Sequence, residues 1–295
     1  MKAKTAKALA LSALLMTGAA LPAAAETIKV GSKSFTEQFI LGEMYAAVLE
    51  DAGFTVDRKI NLGGTLIAHQ ALITGQIDLY PEYTSTGLAA VKKVKVTGDA
   101  DQVYNEVKDY YAKEFNITWL AQSGVNNGYV LLVRADTADK YGLKNVSDLT
   151  KVNGQLVFGG GPEFRDREDG LPGIKRVYDV DFKDFKQFAK LGLRYDALAQ
   201  GDIDITNGYT TDWQVGTDKV AMLDDDKHLF PPSYVAPIVR QEVLDKNPEI
   251  AGLLEKVGSN LDNATMRALN AKVEVDREEP HDVAVAFLKE KGLIK

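Results

Sequence analysis

Tyrosines and cationic residues recur in this chain where a strand gives way to a turn, and together they have the chemistry to hold a small zwitterion. Four such places stand out: Ser32-Lys33-Ser34, Tyr80–Thr86, Phe164–Gly170 and Asn207–Asp212. They contribute Lys33, Tyr83, Thr86, Arg165, Arg167 and Tyr209. A carboxylate is gripped by Arg, Lys, hydroxyls and free backbone N–H groups. A quaternary ammonium has no N–H to donate, so aromatic faces hold it through cation–π attraction, about 0.5–2 kcal/mol per ring as the site dries. Each residue alone has a plainer reading. A tyrosine at a strand end is more often core packing, Arg165-Asp166-Arg167-Glu168-Asp169 reads as a solvated charged loop, and Lys33 beside a helix start reads as a surface lysine. Their shared placement is what points to a site.

Signals for catalysis are weak. His69, His228 and His281 lack metal-ligand spacing, and the chain has no cysteine. No Gly-x-Ser-x-Gly elbow occurs. The run Phe158-Gly159-Gly160-Gly161-Pro162 lacks the Lys and Ser/Thr of a phosphate-binding loop and reads as a tight turn. Asp224-Asp225-Asp226 reads as a solvated acidic loop rather than a cation site. The expectation is a binding protein that needs no metal and no cofactor.

The elements that must position these residues repeat. Ala71–Thr84 (ALITGQIDLYPEYT) is echoed by Ala197–Thr210 (ALAQGDIDITNGYT), with seven of fourteen positions identical. Both copies read as a helix end, a glycine stop, a short buried strand and a loop carrying a tyrosine, Tyr83 in one and Tyr209 in the other. Ile28–Gly31, a helix to Gly53 and strands over Phe54–Ile60 and near Asp78 give a βαβαβ rhythm, hence a parallel sheet flanked by helices. Ser34 and Glu37 have the form of a capping box at the first helix. Strands are expected over Ile117–Leu120 and Tyr129–Arg134, and a second βα unit begins at Gln155. The fold class is therefore α/β: two lobes, each a mostly parallel sheet flanked by helices, joined by a hinge crossed twice. The expected division is 26–128 for lobe I, 129–232 for lobe II and 233–295 for a helix-rich return to lobe I. Ligands of such sheets sit at the carboxyl ends of the strands.

Lys2, Lys4 and Lys7, an apolar run from Ala8 to Leu21 and an Ala-x-Ala site ending at Ala25 define a secretory signal peptide over residues 1–25. The run is shorter than the roughly 20 residues of a membrane span. Position 26 is Glu rather than the cysteine of a lipid anchor, so the expected location is the periplasm. About 270 residues then remain, enough for a self-sufficient core in two domains. The chain carries a net charge of −7, and the leader's lysines are part of its positive charge. This acidic balance without basic runs argues against nucleic acid or anionic membranes as partners.

Four stretches carry a resemblance to a known family: Val30–Gln38 (VGSKSFTEQ), Asp78–Gly87 (DLYPEYTSTG), Asn126–Tyr129 (NNGY) and Phe164–Gly170 (FRDREDG). The mature chain resembles the substrate-binding proteins of osmoprotectant ABC importers, which take glycine betaine, choline or carnitine. The resemblance implies a hinged two-lobed fold that closes on its ligand, a permease as partner and a monomeric chain. It further implies that Tyr83, Tyr129 and Tyr209 form an aromatic cage for trimethylammonium. Lys33, Thr86 and Arg167 would hold the carboxylate, with the backbone of Asn127 lining the site. Family members commonly place a further tyrosine after the Pro-Pro, where this chain reads Pro231-Pro232-Ser233-Tyr234. With Ser233 at that position one wall is missing, unless Tyr234 swings in to supply it. The competing readings are a receptor for an amino acid or other small zwitterion and an exported α/β enzyme.

Overall fold

The computed structural model describes residues 27–188 and 191–295, so the leader expected over 1–25 lies outside the described residues. The first sheet begins with β1 (Ile28–Gly31), α1 (Thr36–Asp51), β2 (Val56–Lys59), α2 (Thr65–Ile73) and β3 (Leu79–Tyr83). Strand β3 runs into α3 (Thr84–Thr86) and a π-helical turn over Gly87–Lys92, followed by α4 (Ala100–Phe115) and β4 (Ile117–Trp119). The chain then builds a second sheet from β5 (Tyr129–Arg134), α5 (Ala135–Tyr141), β6 (Val157–Gly160), α6 (Pro162–Asp166) and α7 (Leu171–Tyr178). β7 (Asp184–Gln187), α8 (Leu191–Gln200), β8 (Ile205–Tyr209) and β9 (Val220–Leu223) complete it. β10 (Val235–Arg240) returns to the first sheet, and α9 (Gln241–Lys246), α10 (Glu249–Gly258), α11 (Asn263–Glu274) and α12 (Pro280–Glu290) follow.

The strand orders are β2-β1-β3-β10-β4 and β7-β6-β8-β5-β9. They are one plan used twice, with β1, β2, β3, β10 and β4 matching β6, β7, β8, β5 and β9. Within each βαβαβ part the strands are parallel. The strand that arrives from the other lobe, β10 or β5, runs antiparallel to both of its neighbours, so each sheet is mixed.

The sequence echo is also an echo of hydrogen bonds. Gly75 N–H donates to Leu72 O at 3.1 Å and Gly201 N–H to Leu198 O at 3.2 Å. Both glycines have positive φ, +71° and +81°, which closes the helix at little steric cost. Asp78 accepts from Lys29 N–H, and Asp204 accepts from Val157 N–H, both at 2.8 Å. The carboxylate thereby locks the start of each repeated strand to the neighbouring parallel strand. Tyr83 and Tyr209 are the last residues of β3 and β8 rather than loop residues.

Helix α1 is buried almost all round, because the first sheet covers one side and the C-terminal helices the other. Ile40, Met44 and Leu49 share one core with Leu79 and with Leu254, Met266 and Phe287 of the return segment. Two expectations need correction. The N-cap of α1 is Phe35 with no side-chain cap, and Glu37 is buried and bonded elsewhere. Gly159 and Gly160 are strand residues of β6 rather than a turn. A Cβ at Gly159 would lie 2.3 Å from Ile203 Cδ1, so the glycine lets α8 and its strand pack closely.

The segments connecting the sheets pair with each other. Ser123 N–H donates to Val235 O at 2.8 Å, Val235 N–H to Val125 O at 2.9 Å and Asn127 N–H to Ser233 O at 2.8 Å. Ser233 N–H donates to Asn126 Oδ1 at 2.7 Å. This two-stranded strap is the hinge, and it sets the residues on either side of it at the cleft.

Candidate functional site

On the first lobe, Tyr83 is buried, 4% exposed, and its hydroxyl donates to Glu37 Oε1 at 2.6 Å. Its ring stacks on Phe35 with centroids 6.1 Å apart. Lys33 Nζ lies 4.5 Å from the Tyr83 centroid. Lys33 is therefore no surface lysine: it is 3% exposed and pairs with the fully buried Glu82 at 2.5 Å. Glu82 also accepts from Tyr80 Oη at 2.9 Å and from Tyr83 N–H at 2.7 Å. Thr86 ends α3 half-buried, next to this group in sequence.

On the second lobe, Tyr129 begins β5 opposite Tyr209 at the end of β8. Their rings stack with centroids 5.1 Å apart and planes 27° apart. Phe164 meets Tyr129 edge-on at 5.2 Å and supports that wall. The Arg167 guanidinium lies over Tyr129 at 5.2 Å, and Arg194 lies over Tyr209 at 5.8 Å. Arg167 is also locked to Asp169 by two hydrogen bonds of 2.7 Å, and this hydrogen bonding raises its pKa above the ordinary guanidinium value. Arg165 does not join the group; it is exposed and lies over Phe185.

Glu37 brings the lobes together. Its carboxylate accepts from Tyr83 Oη, from Asn127 Nδ2 at 2.8 Å and from Asn270 Nδ2 at 3.4 Å, with Thr211 as a further side-chain partner. These groups come from the first sheet, the hinge, α11 and the loop after β8. Burial pushes the Glu37 pKa up, opposed by those four hydrogen bonds. Burial likewise raises the Tyr83 and Tyr209 hydroxyls, helped by Glu37 and Tyr129 respectively, so both rings stay neutral. The loop after β8 is held further by Arg267 Nη1 and Asn270 Nδ2, which donate to Thr210 O at 2.8 Å and Thr211 O at 2.9 Å.

At the hinge, Asn127 spends its backbone N–H on Ser233 O, while its Oδ1 is buried without a partner. The Ser233 hydroxyl bonds Ser85 Oγ at 2.6 Å, which makes a polar corner. Tyr234 is half-buried and pairs through its backbone with Thr84, at 2.9 and 3.0 Å. No described aromatic ring is stacked on Tyr234. Beside the rings, a cavity of about 370 Å³ lies between the lobes, lined by Lys93 and Lys95 from one and Arg167, Glu168 and Arg176 from the other. Tyr83, Tyr129 and Tyr209 do not line it.

Sequence reasoning missed Glu37, Glu82 and Arg194. Glu37 imitated a helix cap. Glu82 stood in plain view between the tyrosines of a buried strand. Arg194 carried no local signal beyond standing in the helix that leads into the repeated strand.

Known proteins share the sequence pattern and the fold of this chain. A family model, the substrate-binding domain of ABC-type glycine betaine transport systems, matches residues 26–290. A glycine-betaine-binding protein of Pseudomonas aeruginosa is 36% identical over 283 residues, covering 92% of this chain and 90% of the relative. A carnitine transport binding protein of Listeria monocytogenes is 33% identical over 285 residues, covering 94% and 92%. A crystal structure of a glycine betaine/carnitine/choline ABC transporter protein superposes with a TM-score of 0.83 at 29% identity, covering 91% of this chain and all of that one. The chain belongs to this family of substrate-binding domains of ABC-type glycine betaine transport systems.

Proposed function

We propose that the protein is the periplasmic solute-binding component of an ABC importer and captures a betaine-like quaternary-ammonium solute. Export uses a cleavable leader, which is cut after Ala25. Residues 26–128 and 233–295 form lobe I and 129–232 form lobe II. The monomer closes on the solute and delivers it to the permease without performing chemistry or using a cofactor.

The observation that carries this reading is the stacked Tyr129–Tyr209 pair on one lobe and Tyr83 on the other, with Glu37 bonded both to the Tyr83 hydroxyl and to Thr211 in the loop that follows Tyr209. A ligand closes two lobes only through contacts it gains in the closed state. Aromatic walls on both sides of the hinge supply such contacts for a trimethylammonium group. Lys33, Thr86 and Arg167 are the proposed anion side, with Asn127 lining the hinge. Tyr234 contributes backbone rather than a cage ring.

A second reading, a receptor for an amino acid or other small zwitterion, draws on one observation. The corner where relatives commonly carry a further tyrosine holds the Ser85–Ser233 hydroxyl pair instead. Calorimetric titration of the mature protein with glycine betaine, choline, carnitine and common amino acids separates the two. Saturable binding of a quaternary amine is expected; saturable binding of an amino acid with no response to any quaternary amine overturns the proposal.

A further inference from the structure

Helix α11 carries two stripes. Met266, Leu269 and Val273 pack into the core of the first lobe around α1. Beside them Asn263, Arg267, Asn270 and Glu274 recur at spacings of four, three and four, which puts all four on one side of the helix. This polar stripe reaches out of its own lobe. Asn263 Oδ1 accepts from Asn126 N–H at 2.8 Å and its Nδ2 donates to Asn126 O at 3.1 Å, a two-way bond to the hinge strap. Arg267 Nη1 donates to Thr210 O at 2.8 Å and Asn270 Nδ2 to Thr211 O at 2.9 Å, both in the second lobe. Glu274 has Trp213 of the same loop as a side-chain partner.

The gripped loop is the one that leaves Tyr209, the last residue of β8. The strap holds it too: the Thr210 hydroxyl donates to Asn126 O, and Thr210 N–H to Gly128 O at 3.1 Å. Asn126 O thus joins α11, the strap and the loop. The acceptors of Arg267 and Asn270 are main-chain carbonyls one and two residues beyond Tyr209, so they move with the second lobe. A lobe that swings away from α11 must break both bonds. One has a charged donor, the stronger kind, and the other leaves the amide of Asn270, 5% exposed, short of an acceptor. Contacts made in only one arrangement of the lobes shift the population toward it.

We infer that the Asn263–Arg267–Asn270–Glu274 face of α11 is a clasp that holds the lobes in the ligand-binding arrangement and raises solute affinity without touching the solute. Its members are positioning residues for the Tyr209 loop, and their effect on affinity rests on the betaine reading above. A clasp acts on the lobes, so it changes the affinity of every solute by the same factor. Calorimetry with glycine betaine and choline, together with spin-label distances, tests this on the mature protein. The chain has no cysteine, so Gln70→Cys in α2 and Asp196→Cys in α8, both exposed, place one label on each lobe. In Arg267→Met both affinities should fall by a common factor of roughly fivefold or more, and the ligand-free distances should spread beyond those of wild type. Saturating glycine betaine should restore the wild-type distances. Arg267→Lys, which keeps a donor, should recover part of both effects. Should Arg267→Met fail to fold, Trp213→Phe, which removes only the indole N–H offered to Glu274, is read in the same two measurements. Unchanged affinities, unchanged ligand-free distances or a loss confined to one solute overturns the clasp and leaves the betaine reading standing. If the wild type binds only one of the two, that solute and the distances decide. A wild type that binds neither overturns the betaine reading, and the ligand-free distances still decide the clasp.

Discussion

Lys33 and Glu82 form a buried ion pair, 2.5 Å from Nζ to Oε1, that ties the loop after β1 to the C-terminal end of β3. The same lysine caps one face of the Tyr83 ring at 4.5 Å. A charge expected at the surface thus holds two neighbouring strand ends together and sits against the Tyr83 ring. Removing one member of a buried pair strands the other without compensation.

Lys33→Met should therefore cost about 3–5 kcal/mol of stability, because the Glu82 carboxylate keeps only its Tyr80 and Tyr83 donors. Adding Glu82→Gln should recover at least half of that loss. Urea denaturation of the two single variants and the double variant measures the coupling. Simple addition of the single losses would show that the pair does not act as a unit.

Tyr129→Leu and Tyr209→Leu should each weaken quaternary-ammonium binding. The loss of one cation–π wall, about 0.5–2 kcal/mol, corresponds to roughly 2- to 30-fold in affinity. Binding of both glycine betaine and choline should fall, since both carry the trimethylammonium group. Isothermal titration, with a thermal melt as a folding check, reads the effect, and unchanged affinity in both variants removes these rings from the cage.

Tyr234→Ala should leave quaternary-ammonium affinity within about twofold of wild type, because its pairing with Thr84 is through the backbone. A larger loss would place its ring in the bound cage and restore the wall that Ser233 lacks.

Glu37 gives a pH signature. Burial raises its native pKa, so the folded protein holds that proton at pH values where the unfolded carboxyl has released it. The Glu37 contribution is therefore fully present below the ordinary carboxylate range and is lost as pH rises through the raised native value. Glu37→Gln does not titrate. The stability of wild type relative to Glu37→Gln should decline as pH increases, and melts of both proteins over roughly pH 4 to 8 test it. Parallel curves would mean that the four hydrogen-bond donors fully offset burial.

Much of the fold was legible because it is local. The glycine stops at Gly75 and Gly201 and the buried runs of β3, β5 and β8 depend on residues within a few positions of one another. The cap of α11 is equally local: Asp262 accepts from Thr265 N–H at 2.7 Å. The Ser34–Glu37 box failed because a tertiary partner outbid the local one: Glu37 in a dry site bonds Tyr83 and Asn127 rather than the backbone of its own helix. The same contest explains Gly159 and Gly160, which follow turn chemistry in sequence but serve as strand residues where a Cβ would strike α8's neighbours.

For the site, the sequence by itself determined the inventory: three tyrosines, a lysine, an arginine and a repeat that placed Tyr83 and Tyr209 at equivalent strand ends. Only the tertiary structure decided how those charges are spent. Hydrogen bonds between residues 46 to 49 positions apart, such as Tyr83 to Glu37 and Lys33 to Glu82, have no local signature. Burial gives them their strength, because an ionised group removed from water must find a partner within the protein or the ligand. Arg194 shows the limit plainly. Its sequence neighbourhood describes an ordinary helix, and its buried, unbonded guanidinium exists only once α8 and β8 are packed together.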